Sequence, residues 1–267
     1  MTETQEYLFE RMRPGQVRAA RQRMDIAFLP LGALEWHGVH NPLGLDAIKA
    51  QAICVAAARK LGGGAVFPPL VWGVPRDSFF VGTSPLQGDI AEPIAAALGT
   101  DAERFRGFCA HGGMDVQEQW LFYQRLLRMS LEQIAGFGFR SIYMLSGHNP
   151  LVHWARPTAV AFIRASQMAR QPVNVWFGGE FDAAGLSGDH GGRWETSMAQ
   201  AIDPAMVDLG ELDRNPQYKG VGCNLNAPEA TAEQGRAWID QCAEGIAREA
   251  RRLVEVWPDT PLKGHAR

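Results

Sequence analysis

The sequence predicts an α/β fold in which helices cover both faces of a largely parallel sheet. Two observations carry this expectation. Short apolar runs that suit buried strands alternate with longer amphipathic runs that suit helices, the order that builds parallel sheets with covered faces. No stretch rich in Pro, Gly or Ser divides the chain, so residues 1–267 are expected to form a single domain.

Each element follows from its own pattern. Residues 5–23 mix charge with Leu8, Met12 and Val17 and predict one or two short surface helices broken near Pro14. "IAFLPLGAL" (26–34) is a nearly continuous apolar run ending beyond a glycine, which reads as a buried strand. "DAIKAQAICVAAARKL" (46–61) is alanine-rich at helical spacing and stops at three glycines. "AVFPPLVWGV" (65–74) reads as the next strand. Residues 116–139 form a long amphipathic pattern closing on Gly136 and Gly138. "SIYMLSGH" (141–148) is a strand entering a polar turn, 158–170 a helix, and "PVNVWFGG" (172–179) a further strand. Residues 233–257 predict a terminal helix.

The bulk numbers exclude several classes of function. Hydrophobic residues make up 46% and charged residues 21% of the chain, an ordinary globular composition rather than a disordered one. A net charge of −3 gives no electrostatic reason to expect nucleic acid or an anionic membrane as partner. The four cysteines (Cys54, Cys109, Cys223, Cys242) show no paired spacing, which fits free thiols in a reducing compartment. The first twenty residues lack the apolar core of a signal peptide, and no segment approaches the ~20 apolar residues of a membrane span. A cytoplasmic protein acting on a small molecule is expected.

Ligands of such folds sit beyond the carboxyl ends of the strands. There the chain places "EWHGVHNPLGLD" (35–46), "SGHNP" (146–150) and "GGEFDAAGLSGDHGGRWETS" (178–197). Five of the seven histidines (His37, His40, His148, His153, His190) lie in or beside these segments. Glu35 and His37 are two apart, so on extended backbone they leave one face. Asp46 opens the following helix, where a carboxylate suits the positive helix end. With His148 and Glu195 the set becomes Glu, His, Asp, His, Glu. Mixed imidazole and carboxylate ligands suit zinc, manganese or iron(II) better than calcium or magnesium. Five ligands exceed the usual share of one catalytic ion, and Asp46 bridging two ions would use the surplus. Taken singly, each residue has a plain reading: a histidine near a strand end is usually a hydrogen-bonding residue, and an Asp before a helix usually a cap. Three strand ends that all deliver such groups point to a metal site.

The motifs together resemble the creatininase (creatinine amidohydrolase) family. "LGALEWHGVHNPLGLD" is similar to its first motif, roughly Glu-x-His-Gly-x-His-x-Pro followed by an Asp. "VGTSPL" (81–86) resembles its Gly-Thr-x-x-Leu segment, "LSGHN" (145–149) its Asn-Gly-His-Gly-Gly-Asn turn, and "DHGGRWETS" (189–197) its His-Ala-Gly-x-x-Glu-Thr-Ser motif. The resemblance runs from about residue 26 to about 209, in order. It implies a three-layer α/β/α sandwich, a homo-oligomer that is often a hexamer, and one or two divalent metal ions that hydrolyse a small polar substrate. By position it makes Glu35, His37, Asp46 and His148 metal ligands, with Glu195 the choice for the remaining one. His190 would be the acid/base, with Glu35 the next candidate for accepting a proton. Thr83, Ser84, Asn149, Trp176 and Arg193 are expected at the substrate.

Two departures stand out. Creatininase itself places a Glu two residues after the histidine of the middle motif, where this chain has Pro150. A second ion must therefore draw on Glu195 or be absent, and the expected substrate is one other than creatinine. Residues 87–117 form a longer connection than the family's usual one and are read as an insertion, with a lid, a subunit contact or a surface excursion as its alternatives. Trp36, Trp154 and Trp194, like Trp176, lie near the motifs and fit either core packing or a pocket wall. The leading expectation is hydrolysis of an amide or lactam C–N bond by a metal-activated water. One alternative is C–C ring opening of a cyclic keto-polyol of inosose type, and another is a non-catalytic metal-binding assembly subunit.

Overall fold

The computed structural model describes residues 6–72, 83–84, 88–105 and 116–255. After a short 3₁₀ turn at Phe9–Arg11, helix α1 (Pro14–Arg23) starts on its proline, and strand β1 (Ile26–Leu31) follows. Helix α2 (Leu45–Leu61) closes on Gly62, whose left-handed φ of 72° ends it as the glycine stop predicts. Strands β2 (Ala65–Val66), β3 (Thr83–Ser84) and β4 (Gly88–Asp89) and helices α3 (Ala91–Ala97) and α4 (Val116–Gly136) come next. The second half holds β5 (Ser141–Ser146), α5 (Pro150–Met168), β6 (Asn174–Gly179), α6 (Arg193–Ile202), α7 (Glu211–Arg214) and α8 (Ala232–Glu255).

The main sheet runs β2-β1-β5-β6, and every pair in it is parallel. Strand β1 is buried at all six positions, as is β5. Their side chains alternate between two cores. Ile26 and Phe28 of β1 with Tyr143 and Leu145 of β5 face α2, α6 and α8 through residues such as Ile53, Met198 and Ile246. Ala27, Leu29, Leu31, Ile142 and Met144 face α4 and α5 through Tyr123, Leu127, Leu131 and Phe162. Helices thus cover both faces, the predicted three layers. Burying each large apolar side chain contributes about 1.5–3 kcal/mol.

Register is what positions the site. Leu31 pairs with Ser146, and Ser146 with Gly179. Three strands therefore end side by side, and the segments that follow them emerge together. Pro30 sits in a central strand without cost to the ladder. Its carbonyl accepts from Leu70 N at 3.0 Å, so its nitrogen faces the same side, where β2 has already ended.

The structure corrects three boundaries. The strand expected over 65–74 pairs only at Ala65–Val66, with Leu70 bridged to Leu31, because Pro68 and Pro69 cannot donate to a ladder. Residues 73 and 74 lie outside the described residues. The helix expected from 158 starts at Pro150 and runs through Pro157. His153, whose carbonyl lacks its helical donor there, and Pro157 itself are exposed, so water can serve. Residues 193–202, read only as a motif, form α6. Among the described residues no helix is long and apolar enough to cross a membrane.

Candidate metal centre

Glu35 and His37 lie on the loop after β1, Asp46 in the first turn of α2, His148 in the turn after β5, and Glu195 in the first turn of α6. Two glycines let these segments meet. Gly147 brings the β5 turn against the start of α2: a Cβ there would lie 2.1 Å from the Asp46 carbonyl oxygen. Gly191, at φ 57°, does the same for the β1 loop, since its Cβ would fall 2.8 Å from the carbonyl oxygen of His37. Asp189 holds the start of α6 by accepting from Trp194 N at 2.9 Å and Glu195 N at 3.3 Å.

The side chains converge. His37 is fully buried, with Nε2 3.3 Å from Asp46 Oδ1 and 3.5 Å from Glu195 Oε2. Its Nδ1 donates to the Glu35 carbonyl at 3.0 Å, which leaves Nε2 as the ligating nitrogen. His148 Nδ1 lies 2.6 Å from Glu35 Oε2 and 3.3 Å from Asp46 Oδ2. Glu35 Oε2 and Asp46 Oδ2 are buried and share the His148 imidazole as partner, a carboxylate-rich environment that a cation would complete. Among the described residues, three ligand sets have their atoms within 4.8 Å of one another: Glu35, Asp46 and His148; His37, Asp46 and Glu195; and Glu35, His37 and His190. Asp46 belongs to two of them and turns one oxygen to each. Its carboxylate faces His37, Lys49 and His148, so it is no helix cap.

Electrostatics follow the geometry. Burial pulls the His37 imidazole down, but Glu195, Asp46 and Glu35 outweigh it and lift it to about 10. Burial opposes protonation of His148 too, yet Asp46 and Glu35 raise it to about 9. Burial would push Asp46 up, but His37 and Lys49 hold it well below the usual carboxylate range. Glu195 is lowered against its burial by Lys49 and His37. At pH 7, below both imidazole values, the metal-free site therefore carries a proton on His37 and on His148. An ion that takes either imidazole must displace its proton. Calorimetry of zinc binding in buffers of different ionisation enthalpy should show about one proton released per ion bound at pH 7, with affinity rising with pH. Binding with no proton release would contradict this assignment.

His190 stands at the open edge. Its side chain is 36% exposed, against 16% or less for the five ligand candidates. Its Nε2 donates to the Trp36 carbonyl at 2.8 Å and lies 3.5 Å from Glu35 Oε1. Its ring is tilted over His37 at 4.6 Å. His40 is buried outside the ligand sets, bonded to the Gly191 carbonyl and Thr196, and its burial lowers its pKa. It ties the first loop to α6.

The expected substrate residues fare unequally. Asn149 is exposed beside His148 at the start of α5. Thr83 pairs with Asp89 and Ser84 with Gly88, but their side chains lie outside the described residues. Trp176 points elsewhere: it lies three residues before the end of β6 and donates to Glu249 on α8, which also accepts from Tyr143. Arg193 is likewise engaged with α8, bonded to Gln234 at 2.5 Å and stacked over Trp238 at 5.6 Å. Trp194 stacks on Trp238 at 3.5 Å, and Trp36 donates to the Val221 carbonyl at 2.8 Å. Within the 87–117 stretch, residues 87 and 106–115 lie outside the described residues, and Ile90 packs beside Gly222 and Trp36.

Two site residues escaped the sequence reading, Lys49 and Glu180. Lys49 Nζ donates to Glu180 Oε1 at 2.6 Å, to the Gly147 carbonyl at 2.8 Å and to Glu195 Oε1. Burial, with Glu195 and Asp46 adding to it, pushes Glu180 up to about 8 against the pull of Lys49. The available signals were the i,i+3 spacing of Lys49 from Asp46 and a carboxylate directly after β6.

Known proteins of similar sequence and structure bear on this centre. The family model Creatininase, described as creatinine amidohydrolase, matches residues 10–113 and 106–250. A creatinine amidohydrolase of Pseudomonas putida is 24% identical over 256 residues, covering 88% of this chain and 91% of its own. A structure named "Creatininase Mn" superposes with a TM-score of 0.68 at 21% identity, covering 93% of this chain and 99% of that one. A point mutant of creatininase described as Zn-Zn type gives a TM-score of 0.69 at 21% identity, covering 94% and 99%.

Proposed function

The chain belongs to the creatininase family, and from that premise we propose that it is a divalent-metal-dependent hydrolase of a small polar, cyclic substrate, cleaving an amide or lactam C–N bond. One observation carries the reading: six imidazole and carboxylate groups meet in overlapping ligand sets at three adjacent strand ends. Glu35, Asp46 and His148, and His37, Asp46 and Glu195, would hold one or two ions. Their nitrogen and oxygen donors suit zinc, manganese or iron(II), and similar creatininases carry manganese or zinc in their names.

When bound, such an ion supplies Lewis acidity and an activated water. The protein's own groups do the rest. Glu35 spans the centre, with Oε2 at His148 and Oε1 towards His190, and so can accept a proton there. His190, at the solvent edge, supplies a proton of its own to the leaving nitrogen. The Trp36 carbonyl fixes the His190 ring for that task. Asn149 offers an exposed amide beside His148 for substrate hydrogen bonds. The family's oligomeric habit belongs to the same reading: Leu121, Phe122 and Met129 leave apolar surface exposed on α4, which a second copy could cover.

Pro150 supports a second reading. It stands where creatininase has a Glu and offers no ligand, so C–C opening of a cyclic keto-polyol is kept beside C–N hydrolysis. Protein purified without chelator should contain one or two zinc, manganese or iron ions per chain. It should open lactams or N-formyl compounds in a screen, with activity abolished by chelator and restored by metal. Turnover of cyclic ketones alone would move the assignment to the second reading. No metal and no turnover would contradict both.

A further inference from the structure

The two candidate ion positions are not equivalent, because one of them already has a cation beside it. Lys49 lies one helical turn after Asp46 on α2, and it is 1% exposed. Its Nζ donates to Glu195 Oε1, sits 2.6 Å from Glu180 Oε1, and lies 3.4 Å from Asp46 Oδ1. At the His37 position the ammonium therefore shares the oxygen of Asp46 that faces His37 and holds the second oxygen of Glu195. The Glu35 and His148 side is different. There the ligand oxygens are Glu35 Oε2 and Asp46 Oδ2, which face the His148 imidazole at 2.6 and 3.3 Å, while Lys49 meets Asp46 through its other oxygen, Oδ1. Pro150 provides no further ligand near the His148 turn.

We propose that the Lys49 ammonium is a resident cation of the centre, so that one metal ion binds tightly at Glu35, Asp46 and His148 while a second, at His37, Asp46 and Glu195, binds weakly. The inference rests on the metal-centre reading above and deepens it. Two effects weaken the second position. A divalent ion there stands close to a like charge inside the protein, where the interaction is poorly screened. The ammonium also draws on the same two carboxylates the ion would need, reducing the charge they present. Together these should separate the two affinities by about 10²-fold or more. Lys49 contributes in return by holding Glu195 and Glu180 in place, so that the His37 side keeps its shape with no ion bound.

The test is metal stoichiometry, read without activity. Wild-type protein loaded with excess manganese and passed through a desalting column should retain about one ion per chain. Its electron paramagnetic resonance spectrum should be that of isolated Mn(II) rather than a coupled pair. Lys49→Met should retain about two ions and show the coupled signal. The double variant Lys49→Met/Glu180→Gln, which removes the ammonium together with its Glu180 partner, covers the case in which the single variant does not fold. Two equally tight ions in the wild type would overturn the proposal and leave the metal-centre reading intact. One ion in wild type and variants alike would do the same. No retained ion in any of them would overturn the metal-centre reading itself, and the proposal with it.

Discussion

Asp46→Ala should lose the bound metal altogether, and turnover should fall by about 10³-fold or more, the worth of several kcal/mol of charge stabilisation. Among the described residues, Asp46 alone joins the Glu35–Asp46–His148 set to the His37–Asp46–Glu195 set. Its Oδ1 is 3.3 Å from His37 Nε2 and its Oδ2 3.3 Å from His148 Nδ1, so removing the carboxylate opens both positions at once. Glu195→Ala should be milder in metal content, because Glu195 belongs to the His37 set alone. Circular dichroism separates loss of metal from loss of fold. Asp46→Asn, which keeps the side-chain volume at the start of α2, is the matched control and should also lose the ion. Full occupancy in either Asp46 variant would show that the carboxylate serves only the helix start and its neighbours.

His190→Ala should keep the metal and the fold yet lower kcat about 10²–10⁴-fold, the usual share of a general acid or base. The expectation comes from position. His190 is the open member of the group, held by the Trp36 carbonyl and 3.5 Å from Glu35 Oε1, while the buried imidazoles His37 and His148 lie among carboxylates. His148→Ala should lose metal and activity together. If His190→Ala strips the ion as well, His190 is a ligand, consistent with its place beside Glu35 and His37. The proton would then pass through Glu35.

Much of this was legible in the sequence, and what was not has physical causes. The continuous apolar runs at 26–31 and 141–146 marked strands buried on both faces, and parallel pairing then fixed where the polar segments emerge. Glu35, His37, Asp46, His148 and Glu195 stood out because each follows a strand or opens a helix beside glycine. Lys49 did not. A single lysine in an alanine-rich helix reads as a solvated position, and only the packing of α2 on the sheet reveals that it points inward. Glu180 was hidden for a similar reason, since one carboxylate after a strand has no partner in the sequence to give it meaning. Trp176 and Arg193 show the converse, since their contacts with α8 were not legible in the sequence. Nearness in sequence to a motif says nothing about which way a side chain leaves its strand or helix, and both turn to α8. Pro157 masked the first two turns of α5, because an interior proline is normally read as a boundary.

The central claim, that these strand ends form a metal centre, is tested most directly by anomalous diffraction. Crystals of protein loaded with manganese or zinc should show an anomalous peak between Glu35, Asp46 and His148, with any second, weaker peak between His37, Asp46 and Glu195. Anomalous density at surface residues only, with none among these side chains, would contradict the account.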